Sequence, residues 1–76
     1  MRKGQIRDQE LLQQIVVQLK KLREERSLTQ EDVYNDTGIH LARIETGKVN
    51  ITVSTLYALL QYFNTSLSDF FRFDGV

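Results

Sequence analysis

From Asp8 to Arg26 apolar residues recur at helical spacing. Leu11, Leu12, Ile15, Val16, Leu19 and Leu22 alternate with Gln, Lys and Arg, the pattern of one long amphipathic helix. Asp8 and Glu10 stand at its start, and Lys20, Lys21, Arg23 and Arg26 near its end, the order a helix dipole favours. Ser27 marks a break. The stretch "SLTQEDVYND" predicts a second helix of about two turns. Thr29 serves as its N-cap, Glu31 and Asp32 fall in its first turn, and Leu28, Val33 and Tyr34 are its apolar residues. "NDTG" reads as a turn, since Asn, Asp and Gly accept the backbone angles turns require. A third helix ends at Thr46, with Leu41 and Ile44 as its inward pair and Gly47 as the left-handed residue that closes it. After the loop "KVNI", Thr52 caps a fourth helix whose wide apolar face is Val53, Leu56, Tyr57, Leu59, Leu60 and Phe63, and Asn64 stops it. Ser66 with Asp69 resembles a capping box with a shorter acid, opening a fifth helix over Leu67 to Arg72 that carries Leu67, Phe70 and Phe71. No alternating stretch predicts a strand. Five short helices with brief connections predict a compact all-α fold occupying residues 1–76 as one domain.

Composition narrows the chemistry. A chain of 76 residues holds one small core, which at this size is marginal without a staple or a partner subunit. There is no Cys and one His, which excludes disulfides, thiolate zinc sites and multi-histidine metal sites. Tight helix packing, oligomerisation or both must hold the fold. The absence of Pro and the presence of only four Gly support the helical reading. The lack of Cys fits a reducing compartment, and no apolar run suits a membrane span or a signal peptide, so a cytoplasmic protein with no membrane partner is expected. Enzyme readings find no support: there are no paired His, no glycine-rich phosphate loop, and no partner pattern around Asp69 or Asp74, while Ser and Thr stand at caps. No cofactor is expected. Net charge is zero, but residues 1–26 hold seven basic and four acidic side chains, against two and four in 27–50 and one and two in 51–76. A solvated helix face is the plain reading of that concentration.

Three stretches, "LREERSLTQEDV", "RIETGK" and "TLYALLQYFNTSLSDFF", resemble in order and spacing the phage-repressor and Cro type of helix-turn-helix regulators, the XRE family. The resemblance covers roughly residues 15 to 71, with residues 6–14 an N-terminal extension of helix one. It implies a lambda-repressor-like DNA-binding domain of five helices. The second and third helices form the motif, the third lies in the major groove, and a homodimer binds a two-fold operator on double-stranded DNA.

The chain departs from that family between "TQE" and "IETG", where it is about three residues shorter than the usual pattern. Two alignments absorb the loss. In the first, which we favour, helix two and the turn are shortened, Thr37 caps helix three, and Gly38, Ile39 and His40 lead it. In the second, Gly38 is the turn glycine, Ile39 the apolar residue after it and His40 the cap, leaving helix three under two turns. The first keeps a recognition helix of about nine residues, long enough to enter a groove. In both, His40 and Arg43 point outward while Leu41 and Ile44 pack inward.

The expected DNA-contacting set is Gln30, Thr37, Gly38, Ile39, His40, Arg43, Lys48 and Asn50. Gln30 resembles the family's phosphate-holding glutamine, with an ordinary surface amide as the alternative. Gly38 would let the backbone approach DNA, and Ile39 would meet a thymine methyl. Arg43 is the strongest base reader, against a simple helix-surface charge. His40 reads a base or is a capping or solvated imidazole. Lys48 and Asn50 contact the backbone or form a solvated loop. The resemblance also implies an ion pair between Arg23 and Glu45, joining helix one to helix three. Tyr34 stands where the family packs a small residue between helices two and three. Tyr62, Phe63, Phe70, Phe71 and Phe73 are mostly core by default, but so short a chain is not expected to bury all of them, so part of the cluster, among Tyr62, Phe70, Phe71 and Phe73, is predicted to form a dimer patch. The alternative to a DNA-binding regulator is a protein-interaction module of the same fold, such as an antitoxin, whose partner is a toxin or another regulator.

Overall fold

The computed structural model describes residues 8–72, and among these every regular element is a helix. They are α1 (Gln9–Glu25), α2 (Gln30–Thr37), α3 (Leu41–Ile44), α4 (Val53–Tyr62) and α5 (Leu67–Phe70). Phe73, the basic Arg2, Lys3 and Arg7, and the first residues of the N-terminal extension lie outside the described residues.

Local chemistry sets most boundaries. Asp8, Thr29, Thr52 and Ser66 each accept a hydrogen bond from a backbone N–H in the first turn of α1, α2, α4 and α5, satisfying donors that have no partner inside the helix. At α2 the bond is reciprocal. The Thr29 N–H donates to Asp32 Oδ2 at 2.8 Å, and the Asp32 N–H donates to Thr29 Oγ1 at 3.0 Å. The bond from the Thr29 backbone holds the Asp32 carboxyl below its ordinary pKa. Asn64 stops α4 at φ 56°, and Ser27 turns the chain after α1 at φ 55°. Gly47 closes the turn after α3 at φ 73°.

The core is one cluster, built from Leu12, Ile15, Val16 and Leu19 of α1, Val33, Leu41 and Ile44 of the motif, and Leu56, Leu59, Leu60, Phe63 and Phe70 behind them. Leu19, Val33, Leu41, Leu59, Leu60 and Phe63 are fully enclosed. The apolar faces are narrower than the periodicity suggests. Leu11 and Tyr57 are exposed, because each stands one step around its helix from the buried stripe, and Val53 is exposed at the first position of α4. Leu67 is exposed too.

Two expectations need correcting. First, "NDTG" is not a turn after a short helix: Asn35, Asp36 and Thr37 continue α2, and Gly38 alone, at φ 76°, ends it. Thr37 therefore does not cap α3; His40 stands at its N-cap position without a side-chain capping bond, and Gly38 and Ile39 form the connection. The shortening falls in helix three, as in the second alignment. Second, of the residues expected at a dimer patch, Phe70 is core. Phe63 and Phe70 are buried, Phe71 packs edge-on against Phe70 with ring centroids 5.0 Å apart, and the half-buried Tyr62 donates its hydroxyl to Asp36 of α2. That bond pushes the Tyr62 phenol up to about 12. Phe70 belongs to this chain's own core and is not available to a second subunit.

Candidate nucleic-acid interface

The C-terminal end of α3 is clamped. Arg23 of α1 donates from Nε to Glu45 Oε2 at 2.8 Å and from Nη2 to Oε1 at 3.0 Å, and its Nη1 reaches the Leu28 carbonyl at 2.8 Å. The two side chains are 11% and 6% exposed, so the pair is largely out of water. The hydrogen bonds to Glu45 raise the Arg23 pKa despite the opposing effect of burial. Gln30 adds a third donor, its Nε2 standing 2.8 Å from Glu45 Oε1. The Gln30 amide is thus neither a free surface group nor wholly available to phosphate; it fixes the start of α2 to the end of α3. One turn further, Gln9 Nε2 donates to the Gly47 carbonyl at 3.1 Å, and a Cβ at Gly47 would run into the amide end of Gln13. With this end held by α1 and α2, the missing residues are lost from the beginning of α3.

The beginning is organised differently. Thr37 Oγ1 donates to the Val33 carbonyl at 2.7 Å and accepts from the Ile39 N–H at 3.0 Å. Its hydroxyl ties α2 to the connection and is engaged within the protein. Gly38 is exposed with open space where a Cβ would stand. Ile39 is half-buried against the core. His40 makes no capping hydrogen bond; its imidazole is exposed and stacks on Tyr34, with ring centroids 4.4 Å apart and planes 29° from parallel. Tyr34 therefore does not force α2 and α3 apart. It points outward, beside the position a first turn of α3 would fill.

Several outward residues surround this region. Ala42 and Arg43 are exposed on α3, and Lys48 lies exposed on the loop that follows, with Asn50 half-buried. Among the described residues no carboxylate pairs with the Arg43 guanidinium. Beyond them Thr52 begins α4, accepting from the Thr55 N–H at 3.0 Å. A cleft of about 350 Å³ opens between α3 and the start of α4, with Ile39, Ile44 and Ile51 among its apolar lining and His40, Arg43 and Asn50 at its polar parts.

A family model described as helix-turn-helix matches residues 19–70, from the middle of α1 to the end of α5. The chain belongs to the helix-turn-helix family. This is the Cro and repressor type, a family of DNA-binding regulatory domains. No curated protein and no solved structure matches the chain.

In a helix-turn-helix the second helix of the motif enters the major groove, and its N-terminal residues meet the base edges. Those are the positions this member has shortened. Its α3 has four residues, Leu41–Ile44, two of them buried. The side chains exposed at and along it are His40, Ala42 and Arg43, with Tyr34 of α2 stacked on His40. Of the eight residues expected to contact DNA, Gly38, Ile39, His40, Arg43 and Asn50 line one cleft, Lys48 is exposed on the loop beyond α3, and Gln30 and Thr37 make hydrogen bonds within the motif. Sequence reasoning took Tyr34 for a packing residue. Its size at a small-residue position was the available signal, but its partner His40, six residues on and across a turn, was not.

Proposed function

We propose that this domain is a DNA-binding transcriptional regulator of the cytoplasm that docks on duplex DNA through the α3 face. Arg43 is its principal base reader, and Lys48 and Asn50 contact the phosphate backbone. The observation that carries the reading is the Arg43 side chain itself. It is exposed in the middle of α3, on a helix clamped at its far end, and no acid of the described chain neutralises it. A guanidinium so placed matches the paired acceptors of guanine in the major groove.

A helix of one turn reads few base pairs. Specificity of regulatory grade then requires two such helices, so the active form is a homodimer on a two-fold site, with the two α3 segments about 34 Å apart. The C-terminal end is the proposed contact, through Tyr62, Phe71 and Phe73, and Leu67 of α5 is exposed. Selection of bound sequences from a random duplex pool tests the reading: enrichment of a two-fold motif supports it, and a pool that stays unenriched overturns it.

The shortness of α3 supports a second reading, in which the domain is an interaction module, antitoxin-like or otherwise, whose main contact is a protein. Duplex affinity separates the two. A DNA-binding domain loses affinity steeply with added salt as counterions return to the phosphates, whereas the module shows no duplex affinity to lose.

A further inference from the structure

The residues facing the groove are of two kinds. Arg43 alone offers a hydrogen-bonding fork. Around it the surface is aromatic and apolar: the stacked rings of Tyr34 and His40, and the methyl of exposed Ala42. The major groove presents one apolar feature, the 5-methyl group of thymine. Resting on the DNA-binding reading above, we propose that the Tyr34–His40 stack is a second reading element, an aromatic platform that receives a thymine methyl beside the base pair read by Arg43.

Three observations carry this. Tyr34 is 45% exposed, although it sits on α2 directly over the start of α3. A tyrosine serving only to fill the space left by a shorter helix would be enclosed, as Val33 beside it is. The two rings are already ordered against each other at 4.4 Å between centroids, so contact with DNA freezes little additional side-chain motion. His40, at the N-cap of α3, and Arg43, three residues on, line the same cleft, about one helical turn, roughly 5 Å, apart along the axis. Base pairs rise about 3.4 Å per step. The platform therefore falls one or two base pairs from the guanine under Arg43, and each half-site should carry a guanine with a thymine at that fixed offset.

The test pairs protein substitutions with removal of the methyl. On a duplex chosen by selection from a random pool, each thymine is replaced in turn by uracil, which deletes the methyl and leaves base pairing unchanged. Affinity of the parent should fall about fourfold at one thymine per half-site, the effect of one buried methyl. In Tyr34→Ala and in His40→Ala the same replacement should have no effect. Tyr34→Phe, which keeps the ring, should retain the parent's sensitivity. A merely structural Tyr34 would lower the melting temperature without changing the response to uracil. If the parent is indifferent to every uracil while Arg43→Ala still relaxes base preference, the platform is refuted and DNA reading by α3 survives. If sensitivity persists in Tyr34→Ala and His40→Ala, the methyl is received elsewhere and the platform is again refuted. If the pool yields no enriched duplex, DNA reading and the platform fall together.

Discussion

Replacing Arg23 by Ala tests the clamp that positions α3. The substitution removes two charge-assisted bonds to Glu45 and one to the Leu28 carbonyl. It leaves a carboxylate that is 6% exposed with Gln30 as its remaining side-chain donor. Breaking a buried pair from one side costs about 3–5 kcal/mol, because the other charge stays out of water unpaired. A domain of this size has a total stability on the order of 4–11 kcal/mol. The variant should therefore lose about a quarter or more of its stability, with a melting temperature lower by about 10 °C or more, roughly 4–8 °C for each kcal/mol. Urea unfolding followed by far-ultraviolet circular dichroism reads the difference as a shift in midpoint at unchanged slope. Arg23→Met combined with Glu45→Met should stand closer to the parent than Arg23→Ala does, since an apolar pair leaves no stranded charge. A loss in Arg23→Ala below about 1 kcal/mol, the worth of an exposed pair, would refute the claim that this contact is shielded and holds α3.

Other outcomes follow from the same geometry. Arg43→Ala should weaken binding to a selected duplex and relax preference at one base pair per half-site, by about 1–3 kcal/mol of discrimination, with the melting temperature nearly unchanged. Lys48→Ala should weaken all duplexes alike and flatten the dependence of affinity on salt by roughly one unit per site. Gly47→Ala should destabilise by more than Gly38→Ala, about 1–2 kcal/mol of left-handed strain being common to both. Only at Gly47 must Gln13 also move, and thermal melts rank the two variants. An ultraviolet titration of the tyrosines should show one phenol ionising at about 12, returning toward 10 in Asp36→Asn. Because that pKa is raised in the folded protein, the Tyr62–Asp36 bond stabilises fully below the ordinary phenol range and its contribution disappears as pH rises through about 12.

The helix starts were legible because capping is local chemistry: Asp8, Thr29, Thr52 and Ser66 act within three residues of themselves. The ion pair was legible through family resemblance, and Gly47 because only glycine takes its backbone angle without strain. The start of α3 was not. A threonine before a glycine suits either the cap of the next helix or the last turn of the one before, and no local preference separates the two. What decides is the Thr37 hydroxyl bonding back to Val33, with α3 held from its other end by Arg23, Gln30 and α1. Which of the C-terminal aromatics would be core was hidden for a related reason. Periodicity marks a residue as apolar without saying how much of the neighbouring helix will cover it, and α5 folds Phe70 into the core.

The central claim is that a one-turn α3 carrying Arg43 is the surface that meets DNA. Amide chemical shifts recorded while a short duplex from the selected pool is added to the protein test it most directly. Shifts confined to His40, Ala42, Arg43, Lys48, Asn50 and the first turn of α4, diminishing as salt is raised, are the predicted result. A duplex that leaves these amides unmoved, or moves only the surface around Tyr57 and Leu67, would contradict it.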